Sequence, residues 1–210
     1  MKSANVDEFF RRLAAADPAP KTELNYLNAY TLLVAVVLSA QATDVGVNKA
    51  TTALFKKVKT PQAMVMLGEE GLKSYVKTIG LFNAKAKNIV ALSHILVEKF
   101  SGKVPSTREE LQSLPGVGRK TANVVLNVVF GQPTLAVDTH VFRVANRTGL
   151  AQGKTPEQIE EKLLRVIPKK YMRHAHHWLI LHGRYVCKAR VPLCPECPVR
   201  DLCSYRSKTR

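Results

Sequence analysis

The chain has 210 residues, 46% of them hydrophobic, enough to bury a real core and too many for a disordered tail. Lysine and arginine number 32 against 16 aspartate and glutamate, a formal charge of +16 that points to a polyanionic partner. The longest wholly apolar run, Leu32 to Leu38, is far short of the roughly 20 residues of a membrane span, which excludes a membrane protein of the helical kind.

At the N-terminus, "MKSANVDEFFRRL" carries acidic residues and no apolar h-region, so a secretion signal is not expected and a cytoplasmic, reducing location is. There, four cysteines are ligands rather than disulfides. Val6, Phe9, Phe10 and Leu13 share one helical face, predicting a helix over 6–16 that "DPAPK" ends. From Leu24 to Phe100 the pattern is helical: an apolar helix through Leu38, then helices after Thr43–Asp44, from about Gln62 and from about Asn83.

Ser106 to Glu109 ("STRE") and Thr155 to Gln158 ("TPEQ") fit the capping box, the second with proline at the first helical position. Between them lies "LPGVGRKTANVV". A helix from about Thr107, this glycine turn and a helix from about Arg119 make a helix-hairpin-helix. Gly116 and Gly118 let the backbone approach a ligand, and the following helix start offers unpaired N–H groups that suit a phosphate. A plain interhelical connection would use the same glycines. "NVVLNVV" is strand-like in propensity, but Gly131 and Pro133 close a segment of helical length, so a buried helix is expected and the fold class is all-α.

Asp138, in "LAVDTHVF", stands where it would N-cap the next helix. The segment "YMRHAHHWLILHGRYVC" holds His174, His176, His177 and His182, which fit no helix-face ligand pattern and are expected to pack, with Trp178, on a helix leading to the cysteines. Cys187, Cys194, Cys197 and Cys203 are all the cysteines of the chain, in the spacing C-x6-C-x2-C-x5-C. On spacing alone, zinc and an iron-sulfur cluster are equally acceptable.

"LPGVGRKTANVVL" followed by "AVDTHVFRVANR", together with "LSAQATD", "IGLFNAKAKNI" and the terminal cysteines, resembles the endonuclease III family of helix-hairpin-helix glycosylases along nearly the whole chain. The resemblance implies two lobes: residues 22–132, a six-helix domain containing the hairpin, and residues 1–21 with 133–210, an iron-sulfur domain. It implies a monomeric repair enzyme, nucleoid-associated, acting on double-stranded DNA with oxidised pyrimidines such as thymine glycol or with abasic sites. Such an enzyme is a DNA N-glycosylase and an AP lyase that nicks by β-elimination.

The same resemblance makes Lys120 the nucleophile that attacks the sugar C1′ and forms a Schiff base, and Asp138 the catalytic carboxylate. A lysine attacks only when neutral, and an ordinary one is neutral about one time in a thousand near pH 7.4, equivalent to roughly 4 kcal/mol. A helix N-terminus supplies only about 0.3 to 1 kcal/mol of that. Burial, Arg119 or a base must supply the rest. A carboxylate beside a lysine favours the ammonium, so Asp138 is better suited to stabilising positive charge on the sugar as the glycosidic bond breaks.

Gln41 is implied to face the orphaned base and Leu81 to wedge the stack once the lesion is extruded. Lys85 and Lys87 in the same stretch either reach phosphates or are simply solvated, and His140, beside the carboxylate, is assigned no role. The cysteine spacing matches the family's 4Fe-4S loop, whose closure would present Lys188 and Arg190 to duplex phosphates. Two alternatives remain. A mismatch adenine glycosylase is opposed by Lys120 and by an end at Arg210 without a further recognition domain. A noncatalytic DNA-binding module would need no special chemistry at Lys120.

Overall fold

The computed structural model describes residues 1–209, and among them every regular element is helical. The chain forms two compact units, residues 22–130 and residues 1–21 with 131–210.

The first unit holds α2 (Ala29–Ser39), α3 (Asp44–Lys57), α4 (Pro61–Val76), α5 (Phe82–Phe100), α6 (Arg108–Gln112) and α7 (Arg119–Phe130), while α1 (Ser3–Ala16) belongs to the other. Helix α2 is buried from Tyr30 to Leu38, as expected of a helix that is apolar all round. It begins at Asn28, whose side chain accepts the Thr31 N–H while Thr31 Oγ1 accepts the Asn28 N–H. Thr43 and Thr60 cap α3 and α4. Gly68, at φ 70°, breaks α4 internally, a break that a single helical pattern from about Gln62 does not anticipate. The cap of α6 is Thr107, one residue beyond the expected Ser106: its hydroxyl accepts the Glu110 N–H and donates to the Glu110 carboxylate, a side-chain pair rather than the reciprocal backbone bond of a capping box. The valine-rich α7 is helical, with Ala122 to Asn127 buried.

The second unit packs α1 with α8 (Thr139–Thr148), α9 (Pro156–Val166) and α10 (Lys169–Leu181), which runs into a π-helical turn at His182–Val186. Its core contains Phe9, Phe10, Val141, Val144, Ile159, Leu163, Trp178 and Leu179. Thr155 caps α9 with Pro156 in its first turn, as expected, although Gln158 returns its bond to the Lys154 N–H rather than to the cap residue. His176, His177 and Trp178 are buried on α10, and His182 in the turn after it.

Candidate functional site

In the first unit the hairpin turn is set by Gly116, which sits at φ 77° where a Cβ would stand 3.0 Å from Asn88 Cβ of α5. Both the left-handed backbone and the close approach require glycine. Gly118 has neither constraint. It is exposed, with nothing within 4 Å of its missing Cβ, and its carbonyl accepts the Ala122 N–H that opens α7. Arg119 and Lys120 follow as the first two helical residues, both exposed, at the end of the helix where backbone N–H groups favour anions.

Two other loops of this unit lie side by side. Gln41, just past α2, is exposed at φ 55°, and Leu81, just before α5, is 60% exposed at φ 60°. These are two of only three non-glycine residues at positive φ among the described residues. A Cβ on Gly80 would lie 3.9 Å from the Gln41 carbonyl oxygen, so the loops adjoin. A leucine held both exposed and left-handed is strained and unburied, the condition expected of a side chain kept for a ligand. Lys85 corrects the expectation of a phosphate contact. It is buried at 6% exposure, and its ammonium donates to the Leu38 carbonyl at 2.9 Å, whereas Lys87 is exposed.

In the second unit Asp138 N-caps α8: its Oδ1 accepts the N–H groups of His140 at 2.9 Å and Val141 at 2.8 Å. One carboxylate oxygen thus serves the cap. The same helix presents Arg143 and Arg147, which sequence reasoning missed. Arg143 donates to the carbonyls of Gly183 at 2.8 Å and Cys187 at 2.9 Å, and to His140 Nδ1 at 3.2 Å. Arg147 donates to the carbonyls of Lys188 at 2.7 Å and Ala189 at 2.8 Å and lies over the Tyr205 ring. The helix headed by Asp138 therefore clamps the backbone of the loop carrying Lys188 and Arg190, both exposed. Gly183 permits the approach, since a Cβ there would come within 2.8 Å of His140 Cβ.

Cys187, Cys194, Cys197 and Cys203 are free thiols lining one cavity together with Arg147, His182, Arg200, Tyr205 and Lys208. Burial, reinforced by the neighbouring cysteines, pushes the thiols of Cys197 and Cys203 above the usual range. Arg147 points at Cys187 Sγ from 3.7 Å. Four thiols lining one cavity with cations beside them suit an anionic, thiolate-ligated centre.

The profile of the HhH-GPD superfamily base excision DNA repair proteins matches residues 34–169. Endonuclease III of Rickettsia conorii is 60% identical over 205 residues, covering 98% of both chains, and that of Escherichia coli K12 is 57% identical over 208 residues, covering 99% of both. The chain belongs to the endonuclease III family. The structure of a trapped endonuclease III–DNA covalent intermediate superposes with a TM-score of 0.90 at 44% identity, over 97% of this chain and 96% of that one. As a member of this family, the protein is a base-excision DNA glycosylase and AP lyase with an all-helical fold. No helix among the described residues is long and apolar enough to cross a membrane.

Proposed function

We propose that this protein excises oxidised pyrimidines, thymine glycol among them, from double-stranded DNA and nicks the resulting or pre-existing abasic site through Lys120. The single observation that carries the substrate side is the pair of exposed left-handed residues, Gln41 and Leu81, on adjoining loops. Base excision requires the nucleotide to leave the stack, and Leu81 is placed to wedge the opened step while Gln41 meets the orphaned base. Gly116, Gly118 and Arg119 hold the phosphates at the start of α7 without reading sequence.

Lys120 attacks C1′ with its neutral amine as the C1′–N bond breaks, and the base departs as the leaving group. Ring opening gives the Schiff base. Loss of a C2′ proton then expels the 3′ phosphate and cuts the strand 3′ to the lesion. Asp138 stabilises the positive charge that grows on the sugar as the glycosidic bond breaks, with one oxygen still engaged by the helix cap.

The two lobes, residues 22–132 and residues 1–21 with 133–210, supply the hairpin nucleophile and the carboxylate with the cysteine loop respectively. Cys187, Cys194, Cys197 and Cys203 would hold a 4Fe-4S cluster. They line one cavity, and their C-x6-C-x2-C-x5-C spacing is the one that resembles the family's cluster loop. Such a cluster would tie the loop into a fold that presents Lys188 and Arg190 to phosphates and would supply structure, in a nucleoid-associated monomer.

The test is borohydride trapping on a duplex with one thymine glycol. A covalent adduct that disappears in Lys120→Ala, with duplex binding kept within a few-fold, is the expected result. Release of the base without an adduct would instead indicate a monofunctional glycosylase, and tight binding without base release a noncatalytic binder.

A further inference from the structure

Lys85 joins the two exposed loops through two bonds of its own. Its backbone N–H donates to the Leu81 carbonyl at 3.1 Å, the first helical bond of α5. Its side chain crosses to the preceding apolar helix, where the ammonium donates to the Leu38 carbonyl at 2.9 Å, three residues before Gln41. Leu38 belongs to the last turn of α2, whose carbonyls lack intrahelical partners and form the negative end of the helix. A cation is the matching group there.

Burial at this level is unusual for lysine, since an ammonium loses its water and needs compensation. The loss is felt as a lowered pKa, which burial alone causes. A methionine, one atom shorter, would fill most of the space without that penalty, so the charge must serve something other than packing. What it fixes is the distance between the carbonyl end of α2 and the start of α5, the two points from which Gln41 and Leu81 project in strained conformations.

We propose that Lys85 is a positioning residue for lesion extrusion: it locks the Gln41 and Leu81 loops into one unit that enters the duplex together. This rests on the duplex-opening roles given above to those two residues. Without the ammonium, each strained residue relaxes independently and the stack is opened by two uncoordinated side chains.

The experiment compares single-turnover nicking of an abasic site in a fully paired duplex with nicking of the same site inside an unpaired bubble, where no stack must be opened. The expected result for Lys85→Met is a loss of about tenfold to a hundredfold on the duplex and of less than about threefold on the bubble. Lys85→Gln, which keeps a shorter donor, should recover part of the duplex activity. The readout is the ratio between substrates, in which any inactive fraction cancels. A fluorescent 2-aminopurine opposite the abasic site should brighten on binding wild type, and less with Lys85→Met.

Equal losses on both substrates, or none on the duplex, would overturn the proposal and leave Lys85 a purely structural cation. Leu81→Ala separates the underlying assumption. If it too fails to distinguish duplex from bubble, the wedge role is wrong; if it distinguishes them and Lys85→Met does not, only the coupling is wrong.

Discussion

Arg12 holds Asp201 through two bonds, Nη1 to Oδ1 at 2.6 Å and Nη2 to Oδ2 at 3.0 Å, across 189 positions of sequence. The same guanidinium donates to the Pro198 carbonyl and to Glu8, so the first helix grips the segment between Cys197 and Cys203. Bidentate geometry makes this pair more than a surface decoration, although its exposure limits what it adds to global stability. Arg12→Gln should therefore leave helicity intact and lower the melting temperature by only a few degrees. Thiol alkylation after treatment with a chelator, which would remove the proposed cluster, should become severalfold faster at Cys197 and Cys203. Unchanged alkylation would show that the loop needs no support from α1.

The chemical task proposed for Asp138 falls on a residue that also caps α8, and one substitution separates the two. Asparagine caps helices about as well as aspartate, whereas alanine loses about 0.5 to 2 kcal/mol. Asp138→Asn should keep the unfolding midpoint near wild type and lower base excision by about a hundredfold or more, as expected when a charge facing the transition state is removed. Urea unfolding and single-turnover excision, measured on both variants, check this. If the asparagine variant excises normally, the residue is a cap and nothing more.

His177 is buried on α10, with its Nδ1 out of reach of any hydrogen-bond partner. Burial first, and His174 second, pull its pKa from 6.5 down to about 4. Between those values the unfolded chain binds the extra proton and the folded one does not, so stability rises with pH. The contribution is complete above about pH 6.5 and lost as pH falls toward about 4, on the order of 3 kcal/mol. His177→Gln should flatten that part of the urea-midpoint profile, followed by circular dichroism. Parallel profiles for the two proteins would remove His177 as the cause.

Much of this architecture is legible in the residues because it is local. Thr43, Thr155 and Asp138 cap helices through side chains that bond their own next turn, which spacing alone reveals, whereas the caps at Asn28 and Thr60 emerge only from the structure. Length outweighed propensity correctly in the valine-rich α7. The slip from Ser106 to Thr107 arose because two hydroxyls each stand three residues from a glutamate, and only packing selects between the registers. Lys85 was misjudged for a deeper reason. Its partner is a carbonyl 47 positions away, and no pattern around it distinguishes a buried lysine from a solvated one. Arg143 and Arg147 were passed over likewise, since their acceptors are backbone oxygens some 40 residues downstream, reached only where Gly183 lets the π-helical turn close on α8.

Those two arginines bear on the last prediction. With their guanidinium groups committed to loop carbonyls, Lys188 and Arg190 remain exposed, and these are the two proposed to meet phosphates. Each neutralised phosphate contributes about −0.9 to the slope of log affinity against log salt. Replacing both by glutamine should reduce the magnitude of that slope by about 2 and weaken binding equally on lesion-containing and undamaged duplex. Trapping yield at saturating enzyme should be unaffected, since the contacts position the backbone and leave the chemistry alone. Arg147→Met, which frees the loop while keeping both charges, should scatter those charges and weaken binding with a smaller change in slope. An unchanged slope for the double variant would show that the phosphate contacts lie elsewhere, at the hairpin and α7.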